Sequence, residues 1–182
     1  YSFAVKSFVE MVKNYSIDEY EFAIRETKTK DVIDDVANLK SEIGILYLSD
    51  FNRKIITQNL KMKNLEFHHL MDCKAYVYIW KEHPLAHKKE ISLDDLKDFP
   101  CLSFEQGSDS SYYYAEEILS DKEYNRTIKA CDRATMLNLM RGLNGYTLCC
   151  GVISEDLNGD DYIVVPFKET GDAINRVMEI GY

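Results

Sequence analysis

Histidine and cysteine are the side chains best suited to hold a metal or attack a substrate, and they meet at His68-His69 and Cys73. Adjacent histidines in an extended segment point to opposite faces, so no metal site is expected there. Five cysteines, Cys73, Cys101, Cys131, Cys149 and Cys150, sit in or beside apolar runs. Reduced, buried thiols fit that placement. Cys149 and Cys150, facing opposite sides of one strand, have poor geometry for a mutual disulfide. A Cys–His pair for covalent catalysis could be drawn from any of these thiols, and no spacing singles one out. Neither G-x-S-x-G nor H-E-x-x-H occurs. No catalytic residue and no cofactor is assigned. The remaining chemistry is charge. Glu105, Asp109 and Asp132 fall beside expected helix starts, with Arg133 as the nearby cation. Grouped carboxylates repel an anion, so they suit a ligand bearing an amino group, or a zwitterion.

The elements that would position these groups alternate between helix and strand. Val5, Phe8, Val9 and Val12 share one helical face over residues 3–12, with Ser2 as N-cap. Tyr20, Phe22 and Ile24 alternate with polar residues and predict a strand. Thr29 is placed to cap a helix striped by Val32, Ile33, Val36 and Ala37. Residues 43–48 read as a buried parallel strand, residues 52–64 as a polar connector, and residues 65–71 and 75–80 as two further strands. Ser92, with Asp95 three residues on, resembles a capping box. A strand at 101–104, a helix at about 111–120 and a strand at 126–130 follow. Asp132 then caps a helix ended by Gly142 and Gly145. Strands at 146–150, 162–165 and 177–180 close the chain, with Pro166 stopping the second of them. The rings of Tyr112-Tyr113-Tyr114 span most of a helical turn, which leaves at least one exposed, for a subunit contact in preference to a cleft wall.

The stretch from Lys74 to Gly107 is the most informative. An apolar strand meets His83-Pro84-Leu85-Ala86, where Pro84 removes a donor and restricts its predecessor. Then come Ile91-Ser92-Leu93 with Asp95-Leu96, Pro100, and a strand running into Glu105-Gln106-Gly107. This ordered set resembles the effector-binding domain of LysR-type transcriptional regulators. Arg25–Thr29, Ser41–Ile45 and Gly142–Tyr146 resemble further segments of that family in the same order.

The resemblance implies an α/β fold of the two-lobe, periplasmic-binding-protein-like (type 2) kind with an interlobe ligand cleft. Residues 1–81 and 169–182 would form lobe I and residues 82–168 lobe II. It implies a small-molecule effector between the lobes, touching Ser2 with Phe3 beside it, Thr29, Tyr47 and Ser49. From the second lobe it implies Glu105, Gln106, Gly107 and Ser108, to which the helix start and charge reading add Asp132 and Arg133. It also implies a bacterial homodimer or homotetramer that reaches DNA only through a helix-turn-helix domain outside this sequence.

Composition sets the outer bounds. A chain of 182 residues with 46% hydrophobic content can bury a core. A net charge of −9 argues against direct contact with nucleic acid. No apolar run approaches the roughly 18 residues of a membrane span. The opening residues Tyr1–Lys6 lack the pattern of a secretion signal. The expectation is therefore a cytoplasmic segment of a longer protein, not an enzyme. A transporter's solute-binding protein is the alternative, and a cysteine-dependent enzyme the third option.

Overall fold

A computed structural model describes residues 2–16, 18–107, 112–115, 117–118, 123–153, 159–168 and 178–182. Its first part carries helices α1 (Ser2–Lys13), α2 (Thr29–Ala37) and α3 (Arg53–Met62) around strands β1 (Leu46–Ser49) and β2 (His69–Asp72). These strands do not touch each other. The closing strand β8 (Met178–Gly181) lies between them, antiparallel to both. Ile33 of α2 and Ile56 and Leu60 of α3 pack on Leu46 and Leu48 to form a small core.

The second part holds β3 (Tyr76–Trp80), α4 (Leu93–Leu96), β4 (Cys101–Phe104), β5 (Thr127–Ala130), α5 (Arg133–Leu143), β6 (Thr147–Cys149) and β7 (Tyr162–Pro166). Strand β3 is flanked by β6 and β7, both antiparallel, while β4 and β5 form a parallel pair. Hydrogen bonds from Leu102 N to Tyr146 O (2.7 Å) and from Tyr146 N to Pro100 O (3.0 Å) join the pair to the larger ladder. Leu102 and Ala130 pack under Met136 and Met140 of α5. The largest core runs across both parts, from Tyr47, Met178 and Ile180 to Val77, Ile79, Leu148 and Val165.

Local chemistry accounts for the clearest boundaries. Ser92 and Asp95 close a reciprocal capping box at α4. Asp132 caps α5 by accepting from Thr135 N–H at 2.8 Å. That helix ends on Asn144, at φ 51°, rather than on a glycine, and Gly142 lies within its last turn. The amide of Asn144 tolerates the left-handed region through local hydrogen bonding.

Several expectations are corrected. Residues 20–24 form no strand. Phe22 instead packs edge-on against Tyr15 at 5.0 Å, and Tyr20 and Ile24 stay half exposed. Alternation makes a strand only where a ladder partner is present. The apolar run at 43–48 begins pairing only at Leu46 and pairs antiparallel, and Ile43 is 65% exposed. An apolar run carries no information on strand direction. The polar connector at 52–64 is helix α3, whose Ile56 and Leu60, one turn apart, suffice to anchor it. Thr29 is the first residue of α2 and Lys28 its N-cap. In the expected strand at 65–71 the ladder starts at His69, while Leu65 and Phe67 pack on the first core. Pro166 is the last residue of β7 rather than a stop before it. Of the helix expected at 111–120, the described residues show a single 3₁₀ turn, Tyr112–Tyr114. Cys131 is exposed, not buried.

Trp80 pairs with Tyr162, so β3 already belongs with β6 and β7, and the chain passes between sheets over residues 73–75. Strand β3 ends at Trp80, ahead of the turn that contains Pro84.

Candidate functional site

A cavity of about 140 Å³ opens between the two sheets. Ser2 at the head of α1, Glu26 just ahead of α2 and Tyr47 in β1 line it from the first sheet's side. Tyr78 in β3, Phe104 at the end of β4, Arg133 and Met136 in the first turns of α5, and Thr147 and Cys149 in β6 line it from the other. Strand periodicity explains the pairing of roles in β3. Val77 and Ile79 are buried in the core, while Tyr78 points the other way, to the cavity.

Three properties define its chemistry. The walls are mainly apolar, and the Thr147 hydroxyl is buried with no hydrogen-bond partner among the described residues. Leaving such a hydroxyl unpaired costs on the order of 1–3 kcal/mol. Burial pushes both the Tyr78 phenol and the Cys149 thiol up to about 12, which keeps both neutral. Charge comes from Glu26 and Arg133, which form an ion pair across the cavity wall. Glu117 adds a further carboxylate, held by the Phe104 N–H at 2.6 Å.

Ser2, Tyr47 and Arg133 line this cavity; among the described residues, the other expected contacts do not. Phe3 packs against the main core. Thr29 is buried at the start of α2. Ser49 receives the side chain of Asn52, its N–H donating to Asn52 Oδ1 at 2.7 Å. Glu105 is exposed and accepts from the Cys131 thiol at 3.1 Å. Gln106 is half-buried with an unpartnered Oε1. Gly107 adopts φ +76°, against the Lys28 amine. Asp132 is spent on capping. Ser108 and Asp109 lie outside the described residues. Among the described residues, the carboxylates on the cavity are Glu26 and Glu117 rather than Glu105 or Asp132. Thr147 and Tyr78 were also missed. The one signal for Thr147 was a hydroxyl inside the otherwise apolar run 146–150.

Elsewhere, a cavity of about 300 Å³ has walls from the first sheet and its helices only, among them Val32, Gly44, Leu60 and Phe67. Movement between the sheets would not report its occupancy. His69, Asp72 and Glu179 place one ligand-type atom each within 4.8 Å of one another. The thiols are poor nucleophiles. Burial raises Cys101 and Cys149 to about 12, and the bond to Glu105 raises Cys131.

Two linked α/β sheets with a cavity between them define a small-molecule-binding class of fold. The LysR substrate binding domain model matches residues 18–176, and the chain belongs to that family. Its fold is periplasmic-binding-protein-like, type 2, and its role is the effector-sensing one of LysR-type regulators. The family is regulatory and not normally catalytic, which disfavours both the transporter and the cysteine-enzyme readings. Among solved structures, the chain is similar to the effector-binding domain of QuiR in complex with shikimate. That match has a TM-score of 0.60 and 20% identity, and covers 100% of this chain and 82% of that one. It is similar to the reduced form of OxyR, with a TM-score of 0.57 and 18% identity over 98% of this chain and 78% of that one. It is also similar to HinK, a LysR family regulator from Pseudomonas aeruginosa, with a TM-score of 0.57 and 13% identity over 98% of this chain and 57% of that one. No curated protein sequence matches. Among the described residues, no helix is long and apolar enough to cross a membrane.

Proposed function

We propose that the domain senses a small zwitterionic or amino-bearing metabolite bound between Tyr47 and Thr147. The observation that carries this is the unpartnered Thr147 hydroxyl in a cavity whose wall already holds a matched Glu26–Arg133 pair. A zwitterion exchanges that one pair for two, its amino group on Glu26 and its carboxylate on Arg133, with no net charge buried. A dicarboxylate would face Glu26 and Glu117 with one arginine to neutralise it. Shikimate, the QuiR ligand, is a carboxylate, and this wall is more acidic than a simple anion prefers.

In this reading, residues 1–72 with 178–182 form one lobe and residues 76–168 the other, hinged at 73–75. The cavity is smaller than the roughly 300–1,000 Å³ of sites that take drug-sized ligands. The effector is therefore small, or the lobes part to admit it. The domain acts as a homodimer or homotetramer in the cytoplasm and reaches DNA through a separate helix-turn-helix domain. To move a 1:99 population to 99:1, the effector must favour one arrangement by about 10⁴-fold.

Calorimetric titration with amino acids, amines and dicarboxylates tests the assignment. Binding by an amino-bearing ligand that weakens in Thr147→Val supports it. Tight binding only of dicarboxylates, or affinity indifferent to Thr147, overturns it.

A further inference from the structure

The first sheet carries a second constellation, away from the cavity. Strands β2 and β8 pair His69 with Gly181, Met71 with Ile180 and Asp72 with Glu179. The register slips between His69 and Met71, so Leu70 is an extra residue. Residues three apart in an unbroken strand point to opposite faces. The bulge resets that parity and turns His69 and Asp72 to the same side. His69 Nε2 then lies 3.0 Å from Asp72 Oδ1 and 3.7 Å from Glu179 Oε2. Arg53 holds the other oxygen of Glu179, fixing that carboxylate. Asp72 and Glu179 are also direct cross-strand partners, and like charges so placed destabilise a sheet. Arg53 neutralises one of them; a cation between the strands would neutralise both.

We propose that His69, Asp72 and Glu179 form a zinc site. One imidazole and two carboxylates are ligands Zn²⁺ accepts, with bonds of about 2.0–2.2 Å that set tetrahedral ligand atoms about 3.3 Å apart. The two distances from His69 bracket that spacing. Exposed Asp72 supplies the freedom to adjust, and Arg53 orients Glu179 from outside the ligand set by holding its other oxygen. A fourth position is left for water. Asp72 is the last residue of β2 before the chain leaves the first sheet, and Glu179 sits one residue into the strand on which it returns. Zinc here cross-links the two strands where both passages begin and end, stiffening the junction between the sheets. The site is independent of the effector assignment, since no residue is shared.

Zinc titration of the chain by calorimetry, in chelator-free buffer, tests this. One Zn²⁺ should bind per chain. His69→Gln and Asp72→Asn, both at exposed positions and checked for folding by circular dichroism, should each weaken it at least tenfold. His68→Gln and Cys131→Ser should leave it unchanged. No zinc binding by the wild-type chain, or unaltered binding in His69→Gln and Asp72→Asn, overturns the proposal, as does loss of binding in Cys131→Ser.

Discussion

The ring of His83 lies with Nε2 3.0 Å from the main-chain oxygen of Asn144, while its Nδ1 accepts the Leu85 N–H at 3.0 Å. These two bonds define the tautomer: Nδ1 accepts, so Nε2 carries the proton and donates. Asn144 is also engaged through its side chain, where Oδ1 accepts from Trp80 Nε1 at 2.8 Å. One left-handed residue thus fastens the end of α5 to β3 and to the turn that follows it. Asn144→Ala loses the Trp80 acceptor and strains the backbone, and should cost about 2 kcal/mol in urea unfolding. Asn144→Gly keeps the backbone and should cost about half as much.

Burial lowers the pKa of His83 from its ordinary 6.5. The unfolded chain therefore takes up a proton at a pH where the folded imidazole stays neutral. The stability His83 contributes is present above about pH 6.5 and lost on acidification below it. Melting temperatures of wild type and His83→Gln should differ most near pH 7.5 and draw together as pH falls toward 5.

Asp95 behaves as a depressed carboxylate. The Lys88 amine at 2.5 Å, then the Ser92 N–H and hydroxyl, pull it from 3.8 to about 2. Its contribution is complete above about pH 4 and disappears as pH falls through about 2. Asp95→Asn should melt below the wild type at neutral pH, and the two curves should converge between pH 4 and 2.

Ligand binding and stability should separate at Thr147. Valine replaces the unpaired hydroxyl with a methyl group of similar size. Thr147→Val should raise the stability of the ligand-free domain by about 1 kcal/mol in thermal unfolding. The same change should weaken the effector about five- to tenfold.

The Glu26–Arg133 pair is partly solvated, so its direct contribution to stability is about 0–1 kcal/mol. Its influence should show in selectivity instead. Glu26→Gln frees Arg133 and should shift preference toward anionic ligands, read as a change in relative affinity for an amino acid and its deaminated acid.

What could be read from the sequence was local. The Ser92–Asp95 box, the Asp132 cap and the apolar strand at 75–80 are set by neighbours a few positions apart, and the structure holds them. Helix α3 escaped because its apolar face is only Ile56 and Leu60 in a run of Lys and Asn. The segment 20–24 misled because its alternation says nothing of whether a partner strand lies beside it. Ser2 and Tyr47, which line the cavity, were named through family likeness, and Arg133 as the cation beside Asp132. Thr147, Tyr78 and Glu26 were not, because their proximity exists only after two distant sheets meet. His69 and Asp72 share a face only because the bulge at Leu70 resets the alternation, and Glu179 joins them from the far end of the chain.

The place of β8 between β1 and β2 has a consequence for biogenesis. Neither flanking strand contacts the other, so both keep bare edges until residues 178–181 leave the ribosome, long after their own synthesis. Such late, non-local closure is slow and leaves nascent chains open to edge-to-edge aggregation. Chaperone dependence during expression should therefore track the first sheet rather than the second.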